Sequence, residues 1–196
     1  MGAREIDFLH THGVEFIYHM THIDNVPGIL KHGLQAHGNS YQKTDISNLD
    51  VNSRRARREP VYGKRIHDYV PFYFSPRNAM LYAQYNEDDI VILELDASLM
   101  YEDGMLFTDG NASSGDTGFS NDLYDLEKLN WNCIHAKYWN NFSDGRRIKM
   151  AEVLLPRKVT KSNISAILCK NNDTKRKIDV MTKKTIDCFV DQKFYF

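Results

Sequence analysis

The sequence predicts a mixed helix-and-strand domain of the α+β class, and three observations predict it. Its 196 residues fit one domain, spanning 1–196, with enough chain to bury a core. Hydrophobic residues make up 42% and charged residues 26%, ordinary proportions for a globular protein rather than a disordered or fibrous one. Short aromatic and β-branched runs alternate with stretches whose apolar residues fall at helical spacing, and no internal repeat or low-complexity segment interrupts them.

Taken in order, residues 16–20 read as a strand and residues 21–25 as a turn with capping chemistry. A helix should start near Val26 and Pro27. Proline suits a first helical turn, Val26, Ile29 and Leu30 keep helical spacing, and Gly33 supplies the stop. Residues 38–53, rich in Asn, Ser and Asp, read as a long loop or lid, and residues 54–58 as a helical turn or the end of a short helix. Residues 70–74 resemble a second strand, ended by Ser75 and Pro76, and residues 77–85 look helical. Residues 90–95 form the clearest strand, too evenly apolar to have one wet face and therefore central. Residues 108–121, rich in Gly, Ser and Thr without an apolar period, read as a surface loop. Residues 123–139 look helical, with Leu126, Leu129 and Ile134 available for burial. Residues 151–155, just after the basic turn 145–149, make another strand, and residues 164–169 and 187–195 add more.

Composition excludes several classes. Cys133, Cys169 and Cys188 are odd in number and lack CxxC spacing, so neither a disulfide framework nor a zinc site is expected, and a reducing cytoplasm suits them. Residues 1–11 are polar, and no apolar run is long enough for a bilayer, so export and membrane insertion are not expected. A formal net charge of −1 means that any polyanion site must be local.

Histidines crowd the start at His10, His12, His19 and His22, but no Cys or carboxylate cluster completes a ligand set, and no metal is expected. His19 reads as a hydrogen-bonding or stacking residue, or as a structural one. The basic clusters at residues 54–58, Lys64 and Arg65, Arg146, Arg147 and Lys149, and Arg157, Lys158 and Lys161 fit phosphate pairing or plain solvated faces. Tyr69, Phe72, Tyr73, Phe74, Tyr82 and Tyr85 fit core packing or ring stacking. Neither GxGxxG nor GxxxxGK[ST] is present. Glu152 interrupts an apolar run from Met150 to Leu155, where an acid must face solvent or serve a pocket. These residues describe a pocket-bearing domain with one conspicuous carboxylate, and they leave the reaction open.

Four ordered blocks then matter: Tyr18, His19, Met20, Thr21, His22, Ile23, Asp24 and Asn25 with Gly28, Ile29 and Leu30; Arg54 and Arg55; the run from His67 to Arg77 with Met80, Leu81 and Tyr82; and Met150, Ala151 and Glu152. In this order they resemble the DarT family of bacterial DNA ADP-ribosyltransferase toxins. The resemblance implies an ADP-ribosyltransferase fold, a split antiparallel-rich β core with flanking helices and a central NAD cleft. It implies NAD as cosubstrate, held by His19, Thr21, Asn25, Gly28, Leu30, Arg55, Tyr73 and Met80. Glu152 and Arg55 would be catalytic, and Arg54 stands in for Arg55 if the register is off by one.

The same resemblance implies single-stranded DNA as acceptor, contacted by Arg54, Asn111, Ser114, Arg146, Arg147 and Lys149. It also implies a macrodomain-type antitoxin, a DNA ADP-ribosyl hydrolase, as partner. Residues 108–118 lack the histidine and aromatics of the thymidine-modifying branch, which keeps guanine beside thymine as the acceptor base. Transfer to RNA or protein, a non-catalytic nucleic-acid-binding module, and a metal-dependent hydrolase are the competing readings.

Overall fold

The computed structural model describes residues 8–46 and 49–196; residues 1–7 of the polar N-terminal stretch and residues 47 and 48 of the expected lid lie outside the described residues. Among the described residues eight strands form one sheet: β1 (Phe16–His22), β2 (Val70–Tyr73), β3 (Ile90–Asp96), β4 (Leu106–Thr108), β5 (Phe119–Ser120), β6 (Glu152–Leu155), β7 (Ile164–Cys169) and β8 (Asp187–Val190). Around it lie helices α1 (Val26–His32), α2 (Leu49–Arg55), α3 (Ala79–Ala83), α4 (Trp131–His135), α5 (Gly145–Ile148) and α6 (Asn172–Thr182). The α+β expectation holds.

Strand order is β5-β4-β6-β2-β1-β3-β7-β8. Neighbours run antiparallel except β7 and β8, whose parallel pairing needs a crossover that α6 supplies. The seam in the middle is short. β1 follows β3 from Phe16 opposite Asp96 to His22 opposite Ile90, but meets β2 only where Tyr18 faces Tyr73. Next to that point His19 Nδ1 donates to the Pro71 carbonyl at 2.8 Å, a side-chain bond at the seam between the two halves of the sheet.

Alternation along β6 sorts its residues between the two faces. Val153 and Leu155 enter the main core with Ile17, Phe72, Leu93 and Ile167. Leu154 packs instead with Ile66, Tyr69, Leu106 and Ala112. Glu152 shares that second face by the same alternation and sits opposite Tyr73.

Several elements differ from the sequence reading, each for a local reason. β1 continues through His22 because its ladder with β3 persists to Ile90, and the turn shrinks to a 3-10 helix at Ile23–Asn25. His22 caps that helix by accepting the Asp24 N–H. Part of the expected lid is α2. The helix expected over 123–139 divides into a 3-10 helix, Leu123–Lys128, and α4, because the Asn130 side chain accepts from Cys133 N–H and starts a new helix. Leu126, Leu129 and Ile134 are buried all the same. The basic turn at 145–149 contains α5. Helix α6 has no counterpart in the sequence reading.

Candidate active site

Glu152, at the start of β6, is fully buried. A carboxylate in such a place is costly unless charged and hydrogen-bonding partners meet it. Arg55, the last residue of α2, does so with one nitrogen: Nη1 lies 2.8 Å from Oε2 and 3.1 Å from Oε1. The Ala112 N–H donates to Oε1 at 2.8 Å. Thr108 steadies the backbone below, its hydroxyl accepting from Glu152 N–H at 3.0 Å and donating to the Gly110 carbonyl at 2.7 Å. Burial opposes the Arg55 charge, but the adjacent Glu152 carboxylate outweighs it and holds the guanidinium above its usual pKa. Nη2 of Arg55 is buried and has no hydrogen-bond partner among the described residues. Arg54, its neighbour, is exposed, so the inward register belongs to Arg55.

Arg55 also lines a cleft with His19, Thr21, Asn25, Gly28, Tyr73 and Met80, so most of the expected cofactor residues come together. Leu30 does not. Ile29 and Leu30 both pack against the main core, but Ile29 also lines the cleft and Leu30 does not, because adjacent helical residues point about 100° apart. Asn25 shapes the wall through its own bonds: Nδ2 donates to Thr21 Oγ1 and the Thr44 carbonyl, and Oδ1 accepts from Lys43 N–H and Thr44 N–H. Gly28 lets the same wall close, since a Cβ there would lie 2.9 Å from the Tyr41 carbonyl oxygen. Burial lowers the His19 pKa despite the Pro71 bond, giving a neutral ring whose proton sits on Nδ1. Tyr73 donates its hydroxyl to Met80 Sδ at 3.1 Å, and burial together with the Glu152 charge raises its pKa.

Among the cleft residues that sequence reasoning missed are His37 and His67, whose rings stack 4.4 Å apart. His67 Nε2 is buried without a hydrogen-bond partner among the described residues, and burial, then His37 and Arg55, lower its pKa. Only the position of His67 at the head of the long matching block could have drawn notice. The Ala112 N–H was also invisible, because a backbone donor leaves no mark in residue type.

Residues expected to touch DNA divide sharply. Arg54 and Arg146 are exposed. Lys149 is buried, with its ammonium donating to Ser75 Oγ and the carbonyls of Ile134 and Ala136, so it cannot reach a phosphate. Arg147 is occupied by Asp109, Asp144 and the Thr117 hydroxyl. It props the loop from below, as does Arg57 from the side through the carbonyls of Ala112 and Ser114. Asn111 spends Oδ1 on the N–H and hydroxyl of Ser113, and Ser114 is half-buried. The segment expected to be a surface loop therefore buries Ala112, Ser113 and Thr117, since arginines and its own side chains satisfy its polar groups.

A sequence profile described as "ssDNA thymidine ADP-ribosyltransferase, DarT" matches residues 18–196, which include every one of these cleft residues together with Arg55 and Glu152. The chain belongs to the DarT family. A DNA ADP-ribosyl transferase of Thermus sp. (strain 2.9) is 38% identical over 153 residues, covering 71% of this chain and 73% of the relative. A DNA ADP-ribosyl transferase-DNA ADP-ribosyl glycohydrolase fusion protein of Thermosipho africanus is 30% identical over 194 residues, covering 92% of this chain and 49% of the fusion. Thermus sp. 2.9 DarT in complex with ADP-ribosylated ssDNA matches the fold with a TM-score of 0.86 at 30% identity, covering 94% of this chain and 97% of that one. Thermus sp. 2.9 DarT in complex with NAD+ matches with a TM-score of 0.81 at 30% identity, covering 93% and 98%.

Proposed function

We propose that this chain, as one ADP-ribosyltransferase domain, transfers ADP-ribose from NAD to a base of single-stranded DNA and releases nicotinamide. The observation that carries the reading is the buried Glu152 carboxylate held by Arg55 beside the cleft, in a chain of the DarT family. Loop composition alone keeps guanine beside thymine. The family description names thymidine, and thymidine is the acceptor we propose.

The geometry fits the chemistry required. Breaking the nicotinamide–ribose bond develops positive charge on the sugar, and a fixed carboxylate that bonds the ribose 2′-hydroxyl stabilises that charge as it grows. Glu152 suits this role because the Ala112 N–H and Arg55 hold it in one orientation. A ring nitrogen of a base attacks well only after losing its proton, which the same carboxylate or its Arg55 partner helps to remove or offset. Arg55 Nη2, without a hydrogen-bond partner among the described residues, can serve a phosphate oxygen or the acceptor base. Neutral His19, with Thr21 beside it, offers hydrogen-bonding groups to the nicotinamide side without placing a cation near the developing charge. A single-stranded acceptor follows from access, because pairing shields base nitrogens in a duplex.

The Thermosipho fusion supports a DNA ADP-ribosyl glycohydrolase as the opposing partner, making the present chain the toxin of a pair. No helix among the described residues is long and apolar enough to cross a membrane. Three buried free cysteines, Cys133, Cys169 and Cys188, fit a cytoplasmic setting. The test is incubation with labelled NAD and an oligonucleotide panel in which each base is varied, followed by mass analysis of the modified nucleoside. Labelled thymidine that disappears with Glu152→Ala supports the reading. Equal labelling by that variant, or label found only on RNA or protein added to the same reaction, rejects it.

A further inference from the structure

Two of the three cysteines meet at the end of the sheet opposite β5. Cys169 is the last residue of β7 and Cys188 stands in β8; both are buried, and their sulfurs lie 3.4 Å apart. The strands pair in parallel with Ile167 facing Cys188 and Cys169 facing Val190, so the thiols meet on a diagonal. Cys133 supplies the contrast. It is equally buried, but its thiol donates to the Gly145 carbonyl rather than to sulfur.

The surroundings divide the roles of the two thiols. Their shared hydrogen bond lowers the Cys188 pKa against the cost of burial, and it raises that of Cys169. Lys175 on α6, bonded to Asp179 at 2.8 Å, adds positive charge that favours a Cys188 thiolate, while Asp179 opposes it. A thiolate with a thiol beside it is the arrangement of an attacking and a resolving cysteine.

Room to move is present as well. Among the described residues β8 pairs only with β7. To form a bond the sulfurs must approach by roughly 1.3 Å, and an edge strand held on one side can yield that distance. The tail after β8 follows any such shift: Asp191 N–H donates to the Cys169 carbonyl, and the Tyr195 hydroxyl donates to the carbonyls of Ile90 and Leu168. Phe194 and Phe196 pack in the cluster that holds Tyr73 and Met80 of the cleft wall.

We infer that Cys169 and Cys188 are a redox-sensitive pair that hydrogen peroxide converts to a reversible disulfide. The Cys188 thiolate attacks one peroxide oxygen, the O–O bond breaks, and the other oxygen leaves as hydroxide and takes a proton to become water. Cys188 is then a sulfenic acid. The Cys169 sulfur attacks it, losing its proton as the S–O bond breaks and a second water leaves. Two thiols give up two electrons, and one peroxide accepts them. A small thiol reductant restores both cysteines by exchange. The inference rests on the thiol geometry and is independent of the transfer reaction.

The test treats the folded full chain with hydrogen peroxide, alkylates the remaining thiols and maps the peptides by mass spectrometry. It should find Cys169 and Cys188 joined within one chain, Cys133 alkylated as before, and all three thiols recovered on reduction. Backbone amides of residues 187–190 should exchange hydrogen at least about tenfold more slowly in the oxidised chain. Cys169→Ser should stop at a Cys188 sulfenic acid that a dimedone trap captures, and Cys188→Ser should leave Cys169 unoxidised. Should either variant not fold, the wild-type peptide map still decides. Three unmodified thiols after treatment, Cys188 sulfinic acid with Cys169 free, a disulfide between two chains, or Cys133 oxidised as fast as the pair would each overturn the inference.

Discussion

Lys149 and Glu152 stand three residues apart, and both are buried charges, yet their surroundings differ in one respect. Lys149 has three N–H bonds to give and meets three oxygens, from Ser75, Ile134 and Ala136. Glu152 meets Arg55, and that pair leaves Nη2 unused among the described residues. One buried charge is saturated and ties β2, α4 and the approach to β6 together. The other keeps bonding capacity in reserve beside the cleft. Burial of charge alone therefore does not mark a reactive group; what sets the Glu152–Arg55 pair apart is an unspent donor beside the cleft.

Substitutions can sharpen or break this contrast. Glu152→Gln keeps the shape and removes the charge, and transfer should fall by at least about 10³-fold in single-turnover assays of folded protein. A loss under tenfold would erase the distinction. Lys149→Met should do the reverse, costing about 3 kcal/mol in urea unfolding because several acceptors lose their donor, with kcat of the folded fraction within about twofold of wild type. Its pH dependence has a definite sign. Burial lowers the Lys149 pKa from 10.5 to about 8, so between those values the unfolded chain binds the extra proton and stability rises with pH. Unfolding titrations should show the wild type gaining on Lys149→Met across that window, and a gap that narrows would contradict the assignment. Arg55→Lys offers a point charge that can serve the carboxylate or a ligand but not both, so kcat/KM should drop about 10²-fold. Arg57→Ala frees one side of the loop over Glu152 and should raise the oligonucleotide KM about fivefold while leaving the KM for NAD near wild type.

Strands were the part of the fold most readable in residue types. The limits of β7 were those expected, and β1, β2, β3 and β6 followed from their apolar runs. Helix α6 escaped because it buries Thr174, Ile178 and Thr182, a stripe at four-residue spacing in which two of three members are polar. Lys149 and Arg147 looked like phosphate ligands because a charge run shows sign and not direction. Ala112, Ser113 and Thr117 looked exposed because small polar residues bury well only when a fold supplies partners, here Arg57 and Arg147. The Glu152–Arg55 contact joins residues 97 positions apart, so residue types could propose each member but not their meeting.

Arg57 carries one more consequence. It lies two residues beyond Arg55, so the short segment that holds the carboxylate also grips the loop whose Ala112 N–H completes the carboxylate's shell. A ligand that engages Arg55 steadies the loop, and a ligand that seats on the loop steadies Arg55. Were NAD to engage Arg55 and DNA the loop, the two would be linked ligands, and linkage is reciprocal: whatever factor NAD adds to oligonucleotide affinity, the oligonucleotide must return to NAD.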